Sequence, residues 1–315
     1  MTEEQLPKEL QDPFKDSGFK SINKAISASL YQVESGIKGQ RQVFPTKWTR
    51  LNKNLLGGLQ PGKMYVIAGR PGVGKSAFSN QLIFDLLDNN RNKKLLVLYW
   101  SFEMPGHQQI MRAGAKGTNK QVSELLSVER KLEREAYEAF KKEVLKYAHY
   151  PIYFNNIPRD MEFVKNANVE ITNKKPDHTI VNVFDHSRLI LSEKEHELQK
   201  LNEVSKGCMW LQAKMGTINI LLSQLNRNIE QEHRAKAQYQ PLLTDLFGGD
   251  SIGQDAHVVM MLQRPHDLYG ITDLYCGADP IKLLAVHVEK NRDGLLGMIP
   301  YEAEMSTFTI NERAK

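Results

Sequence analysis

The chain has 315 residues, 41% of them hydrophobic and 25% charged, with a net charge of +5. This is the balance of an ordinary globular protein of about two domains by length, and it excludes a mostly disordered, collagen-like or disulfide-scaffold chain. Two cysteines, Cys208 and Cys276, make no zinc pattern, no apolar run approaches the ~18 residues that span a bilayer, and the opening residues are too acidic and polar for a secretory signal, so a reducing, cytoplasmic compartment is expected.

Charge is uneven along the chain. Residues 1–18 hold five acids and two lysines, a net of −3, which leaves +8 for the rest. A mildly basic body suits a polyanionic partner such as a nucleotide or nucleic acid, although that surplus also lies within ordinary scatter. Residues 1–18 read as a flexible arm. The spacing predicts an amphipathic helix over 20–35, with Ile22, Ile26, Leu30 and Val33 on one face and Gly36 as its stop. Helix and linker together occupy 19–43, and the main domain runs over 44–315.

Within that domain strand and helix signals alternate. Strands are expected at Met64–Ala68, Leu95–Trp100, Ile152–Phe154, Thr179–Phe184, Ile218–Ser223, His257–Gln263 and Ile281–Glu289, with a short β tail to Ile310. Residues 75–88 read as a helix. So do 127–148, with Leu132, Ala136, Phe140 and Val144 at i+4 steps, and 198–215, with Leu198, Leu201, Val204, Cys208, Leu211 and Met215 on a core face. Trp48, Trp100 and Trp210 read as packing residues. Alternating strands and helices imply right-handed crossovers, hence an α/β fold with a mostly parallel central sheet flanked by helices. The closely spaced C-terminal strands form an antiparallel extension.

The strongest local signal is Gly69-Arg70-Pro71-Gly72-Val73-Gly74-Lys75-Ser76, which matches G-x-x-x-x-G-K-[ST] at every fixed position, after a β run and before an apolar-periodic helix. Its glycines let successive N–H groups point at phosphate oxygens, and the helix N-terminus adds partial positive charge. Lys75 serves the β- and γ-phosphates of ATP, and the Ser76 hydroxyl completes a Mg²⁺ shell. Hydrolysis needs more: a second Mg²⁺ carboxylate, a base for water and a cation for the developing charge. Three strand ends offer candidates. Asp185 ends Ile180–Asp185 as the Mg²⁺ acid, or else is a helix N-cap. Glu103 follows Leu95–Ser101 as the base, or else is a surface acid. Gln224 ends Ile218–Gln224 as a γ-phosphate sensor, or else is merely polar.

Taken in order, Gly58-Leu59-Gln60-Pro61-Gly62, the phosphate loop, Ser101-Phe102-Glu103-Met104-Pro105, Ser223-Gln224-Leu225-Asn226-Arg227, Asp245-Leu246 with Ser251-Ile252-Gly253-Gln254-Asp255, and Lys290-Asn291-Arg292 form a specific set. The set resembles the C-terminal motor domain of the DnaB-type replicative DNA helicases, a RecA-like ATPase family, over roughly residues 20–310. The resemblance implies a hexameric ring that moves 5′→3′ on single-stranded DNA, with ATP between subunits. It makes Lys75, Glu103, Asp185 and Gln224 the phosphate, base, Mg²⁺ and sensor residues, and Lys290 and Arg292 the cations that reach a neighbour's ATP. It makes Asp245–Gln254 a central-channel loop, with Phe247, Gly248, Gly249, Asp250 and Ser251 against DNA. It makes the 20–35 helix a linker that docks on the adjacent subunit, or else packs on its own domain. Primase and a helicase loader are the implied partners, and no membrane is.

Three departures from the family pattern accompany the match. Few residues precede the expected linker helix, so the family's N-terminal helical domain is not expected here, an architecture common in phage-encoded replication proteins. Phe247 and Gly248 stand where the family carries an arginine and a glutamate, so backbone N–H groups with Lys236 or Arg234 are expected to hold phosphates, and Phe247 to stack on a base. His186-Ser187 follow Asp185 in place of an aromatic pair, and His186 reads as a polar neighbour of the site, not a metal ligand. Two other functions remain open: a RecA-like recombination or repair ATPase, and a nucleotide-binding replication adaptor that does not unwind DNA.

Overall fold

The structure is a computed structural model that describes residues 19, 21–185, 190–247, 249–272 and 279–313. The chain separates into two compact units, Met1–Gln42 and Val43–Lys315. The described part of the first is one helix, α1 (Ile22–Ile37), opened by Ser21, whose side chain accepts from the Lys24 N–H. Contrary to the sequence expectation, Gly36 does not stop this helix: it lies within the last turn, and the chain leaves the helix at Lys38. Ile22, Ile26, Leu30 and Val33 are all exposed.

The second unit begins with α2 (Thr49–Asn54) and continues through β1 (Met64–Gly69), α3 (Lys75–Asn89), β2 (Leu95–Ser101), α4 (Gly106–Thr118), α5 (Val122–Leu126), α6 (Arg134–Leu145), β3 (Ile152–Asn155), α7 (Met161–Lys174), β4 (Thr179–Asp185), α8 (Glu197–Met215) and β5 (Ile218–Gln224). It closes with α9 (Gly249–Asp255), β6 (Val258–Gln263), α10 (Pro265–Tyr269), β7 (Leu283–Asn291), β8 (Gly297–Glu304) and β9 (Thr309–Glu312). Among the described residues nine strands form one sheet in the order β3-β2-β4-β5-β1-β6-β7-β8-β9. The pairs from β3 to β6 are parallel, and those from β6 to β9 antiparallel.

Helices cover both faces of the parallel part, which is why its strands read as unbroken apolar runs and not as alternation. Successive residues of one strand enter opposite cores. Tyr65 and Ile67 of β1 meet Phe78, Leu82 and Leu86 of α3, whereas Val66 and Ala68 meet the side built on Val204, Cys208 and Leu211 of α8. A satisfied polar network crosses the second core. Asn182 on β4 donates to Asn168 on α7 and Asn219 on β5, and accepts from the Trp100 indole. Each amide has partners, so burial of these polar groups carries little penalty.

Several expectations need correction. The 127–148 helix begins only at Arg134, so Leu132 lies outside it, and its last turn is a 3-10 turn over Lys146–His149. In α8 the core face is Leu201, Val204, Cys208 and Leu211, while Leu198 is exposed. Trp48 and Trp100 are buried, but Trp210 is exposed with the Lys165 ammonium over its ring. Helices α4 and α7 carried no clear sequence signal. No described helix is long and apolar enough to cross a membrane.

Candidate nucleotide site

Parallel strands all end at the same edge of the sheet, and loops leaving that edge form a crevice. Here Gly69 pairs with Gln224, and Ser101 with Asp185. The phosphate loop, Gln224, Asp185 and the Ser101–Glu103 run are therefore brought together by strand register, although up to about half the chain separates them in sequence. Two glycines are required by geometry. A Cβ on Gly69 would come within 2.6 Å of the Val73 side chain, and Gly74 has φ +102 where the loop turns into α3.

Lys75 opens α3 but folds back, donating from Nζ to the Gly69 carbonyl at 2.9 Å and the Arg70 carbonyl at 3.1 Å. Burial lowers its pKa to about 8, with Asp185 and Glu103 opposing the fall. The Ser76 Oγ donates to Asp185 Oδ1 at 3.2 Å. Asp185 is 1% exposed. Burial raises its pKa to about 6, the Glu103 charge adds to the rise, and Ser76, Arg112 and Gln109 pull against it. This hydroxyl–carboxylate pair is the hard-oxygen donor set that suits Mg²⁺ held jointly with nucleotide phosphates. Glu103 is exposed on the rim of the same crevice, a cavity of about 320 Å³. Its lining includes Pro71, Gly72, Gly74, Lys75, Ser76 and Gln224. Gly69, Arg70 and Val73 shape the loop from behind, and Val73 is fully buried.

Residues without a local motif complete the crevice. Arg112 of α4 and Arg264 after β6 supply cations, and Met305 and Phe308 supply an apolar wall. Arg112 lies 4.6 Å from the Phe308 ring centre, in cation–π contact. Gln109, one turn before Arg112, donates to Ser101 Oγ at 3.1 Å and to Asp185 Oδ2 at 3.5 Å. The available signal for Arg264 was its place just after a strand, as for Gln224. Met305 and Phe308 gave none, because the β8–β9 turn reaches the loop only through long-range pairing.

Other candidates stand elsewhere. Val258 pairs with both Tyr65 and Asn291, which puts the end of β7 at the start of β1, the sheet edge opposite the phosphate loop. There Lys290 Nζ donates to the carbonyls of Gly253 and Gln254 at 2.7 and 2.8 Å, and Arg292 to Gln254 at 2.7 Å. Both cations thus sit on the C-terminal turn of α9. Within the Asp245–Gln254 segment, Asp245 ends a 3-10 turn (Leu243–Asp245) and residues 249–254 lie in α9, so the described part is mostly structured and not an open loop. Phe247 is half-buried against the second core and, with Ser251, lines a cleft of about 870 Å³. Gly249 and Asp250 open α9. Gly248, like His186 and Ser187, lies outside the described residues. Contrary to the expectation that Arg234 holds phosphates, Asp245 occupies its guanidinium through two bonds of 3.0 Å, whereas Lys236 is exposed.

The chain is similar to known proteins in both sequence and fold. The curated replicative DNA helicase DnaB of Rickettsia conorii is 24% identical, over 93% of this chain and 63% of the relative. The chain thus spans under two thirds of that protein's length. The fold matches a solved DnaB-like replicative helicase, described with its interactions with primase, at a TM-score of 0.79 and 19% identity, over 94% of this chain and 68% of that one. It matches a further solved ATPase domain at 0.81 and 19% identity, over 94% of this chain and 100% of that one. The model of the DnaB-like helicase C terminal domain fits residues 44–310, the whole of the sheet up to Ile310 together with both ends that carry the candidate residues, and the chain belongs to that family.

Proposed function

We propose that this chain is the motor of a replicative DNA helicase, hydrolysing ATP to move 5′→3′ along single-stranded DNA in the cytoplasm. The observation that carries the reading is the joining of a complete phosphate cradle to Asp185, Glu103 and Gln224 at one sheet edge. Lys75 and the loop amides bind the phosphates. Ser76 and Asp185 would hold Mg²⁺, which when bound offsets phosphate charge. Glu103 takes the proton of the attacking water, a role worth about 10²–10⁴ in rate. Gln224, at the end of β5, senses the γ-phosphate. Arg112 and Arg264 add positive charge within the same chain.

The remaining roles belong to an assembly. Lys290 and Arg292, at the opposite sheet edge, serve the ATP of a neighbouring subunit in a ring, for which six subunits are the family expectation. The exposed apolar face of α1 suits a linker helix seated on a neighbour, with 1–18 as an arm and 44–315 as the motor. Phe247, Gly248, Gly249, Asp250 and Ser251 face DNA, with Lys236 in support. Primase and a loader are the proposed partners. The test is unwinding of a forked duplex with a 5′ tail by wild type and Lys75→Ala. ATP-dependent unwinding lost in the variant supports the reading. A wild type that turns over ATP without unwinding moves it to an adaptor.

A further inference from the structure

Arg70 has no assigned role beyond its place in the phosphate loop, yet its side chain faces away from the cradle. Its Nε donates to Glu230 Oε1 at 2.6 Å and its Nη1 to the Leu225 carbonyl at 2.9 Å. One guanidinium thus grips the segment 225–230 at both ends. The arginine side chain is only 15% exposed and Glu230 is 43% exposed, so the pair is partly shielded from solvent.

That segment is stitched to the candidate DNA-facing stretch. Leu225 bridges Leu246, and Phe247 N–H donates to the Gln224 carbonyl at 2.9 Å. Asn226 N–H donates to the Asp245 carbonyl at 2.7 Å, and its side chain to the Thr244 carbonyl at 3.1 Å. Asp245, fully buried, is fixed in turn by Arg234. A continuous run of bonds therefore links residue 70 to residues 244–247.

The run has a switchable end. The Lys75 ammonium is bonded to the carbonyls of Gly69 and Arg70. A phosphate in the cradle competes for that ammonium, and the Arg70 peptide then loses a charged partner. We propose that Arg70 is a positioning residue that couples phosphate binding to the Phe247 segment through the Glu230 carboxylate and the Leu225 carbonyl. The proposal rests on the nucleotide reading above and deepens it. Lys75 partnered by loop carbonyls or by phosphate is the two-state element that such coupling requires. By linkage, whatever grips the Phe247 segment must bias nucleotide affinity by the same factor.

The experiment is amide hydrogen exchange with and without a non-hydrolysable ATP analogue and Mg²⁺, on wild type, Glu230→Gln and Glu230→Asp. Glu230 lies outside the catalytic machinery, and a part-exposed ion pair contributes little to stability, so both variants should fold. In wild type the analogue should slow exchange over 69–76 and change it over 225–247. Glu230→Gln should keep the first response and lose the second by about fivefold or more. Glu230→Asp, which keeps the charge, should retain both. A Glu230→Gln response over 225–247 equal to wild type overturns the proposal, as does a wild type that responds only over 69–76. No response over 69–76 in wild type would instead refute the nucleotide reading, and the coupling with it.

Discussion

Arg292 offers the sharpest test of the assembly. It follows β7, whose Asn291 pairs with Val258, and Val258 pairs with Tyr65. The phosphate loop leaves the other end of β1, at Gly69. Four strand steps of ~3.3 Å put the two ends about 13 Å apart along the strand direction alone. The Arg292 guanidinium is also bonded to the Gln254 carbonyl, which turns it along α9 and not toward its own loop. Arg292→Ala should therefore bind nucleotide and lose turnover by about 10³–10⁵, the effect of an arginine supplied to a transferring phosphoryl group. Lys75→Ala should be equally inactive. In a head-to-tail ring each site takes Lys75 from one subunit and Arg292 from the next, so equal, random mixing of the two leaves about one quarter of the sites complete. The assay is steady-state phosphate release after subunit exchange, with co-assembly verified by native mass spectrometry of differently tagged chains. Turnover near one quarter of wild type is expected from two chains that are each inactive alone. Mixed rings no more active than their parents would sink the trans assignment, as would wild-type monomers that hydrolyse ATP at the full rate.

Four other outcomes follow from the geometry. Glu103→Gln should bind ATP with near-normal affinity and hydrolyse it at least ~100-fold slower, as for loss of a general base; undiminished single-turnover rates would leave Glu103 a rim acid with no part in the chemistry. The kcat/KM profile should fall below about pH 6, where Asp185 takes up a proton and loses its affinity for a cation, and above about pH 8, where Lys75 loses the charge that meets phosphate. A profile flat across both limbs contradicts these assignments. Phe247→Ala should weaken single-stranded DNA binding by roughly 1–3 kcal/mol in fluorescence anisotropy if its ring stacks on a base; lost thermal stability with unchanged affinity would make it a packing residue. Gly58→Ala should cost about 3 kcal/mol or more in chemical denaturation, since its Cβ would lie 2.3 Å from the Phe44 carbonyl oxygen and 2.6 Å from Pro45 Cα at φ +139. A midpoint like that of wild type would mean that the 44–59 bridge moves freely.

The candidate phosphate loop is legible because its geometry is local: eight consecutive residues carry their own backbone conformation, and a helix N-terminus follows. The strand-end residues Asp185, Glu103 and Gln224 were legible for a related reason. Strands buried on both faces appear as short apolar runs, and in a parallel sheet such runs all finish at one edge. Local spacing was a poorer guide to helix limits. The i+4 series through Leu132 extends beyond the helix start at Arg134, and Gly36 sits inside α1 because one glycine costs a helix only about 1 kcal/mol.

Tertiary structure alone decided the rest. Arg112 joins the site because α4 packs beside α3, where Asn80 donates to Gln109, and Met305 and Phe308 because the antiparallel strands fold the chain's end back over the loop. Lys290 and Arg292 lie one strand length from that loop because β7 runs antiparallel to β6. Arg234, basic and near the expected DNA segment, is neutralised by Asp245, eleven residues on. Each of these depends on which segments meet across the sheet, a long-range property set by the packing of two buried faces and not by the spacing of residues along the chain.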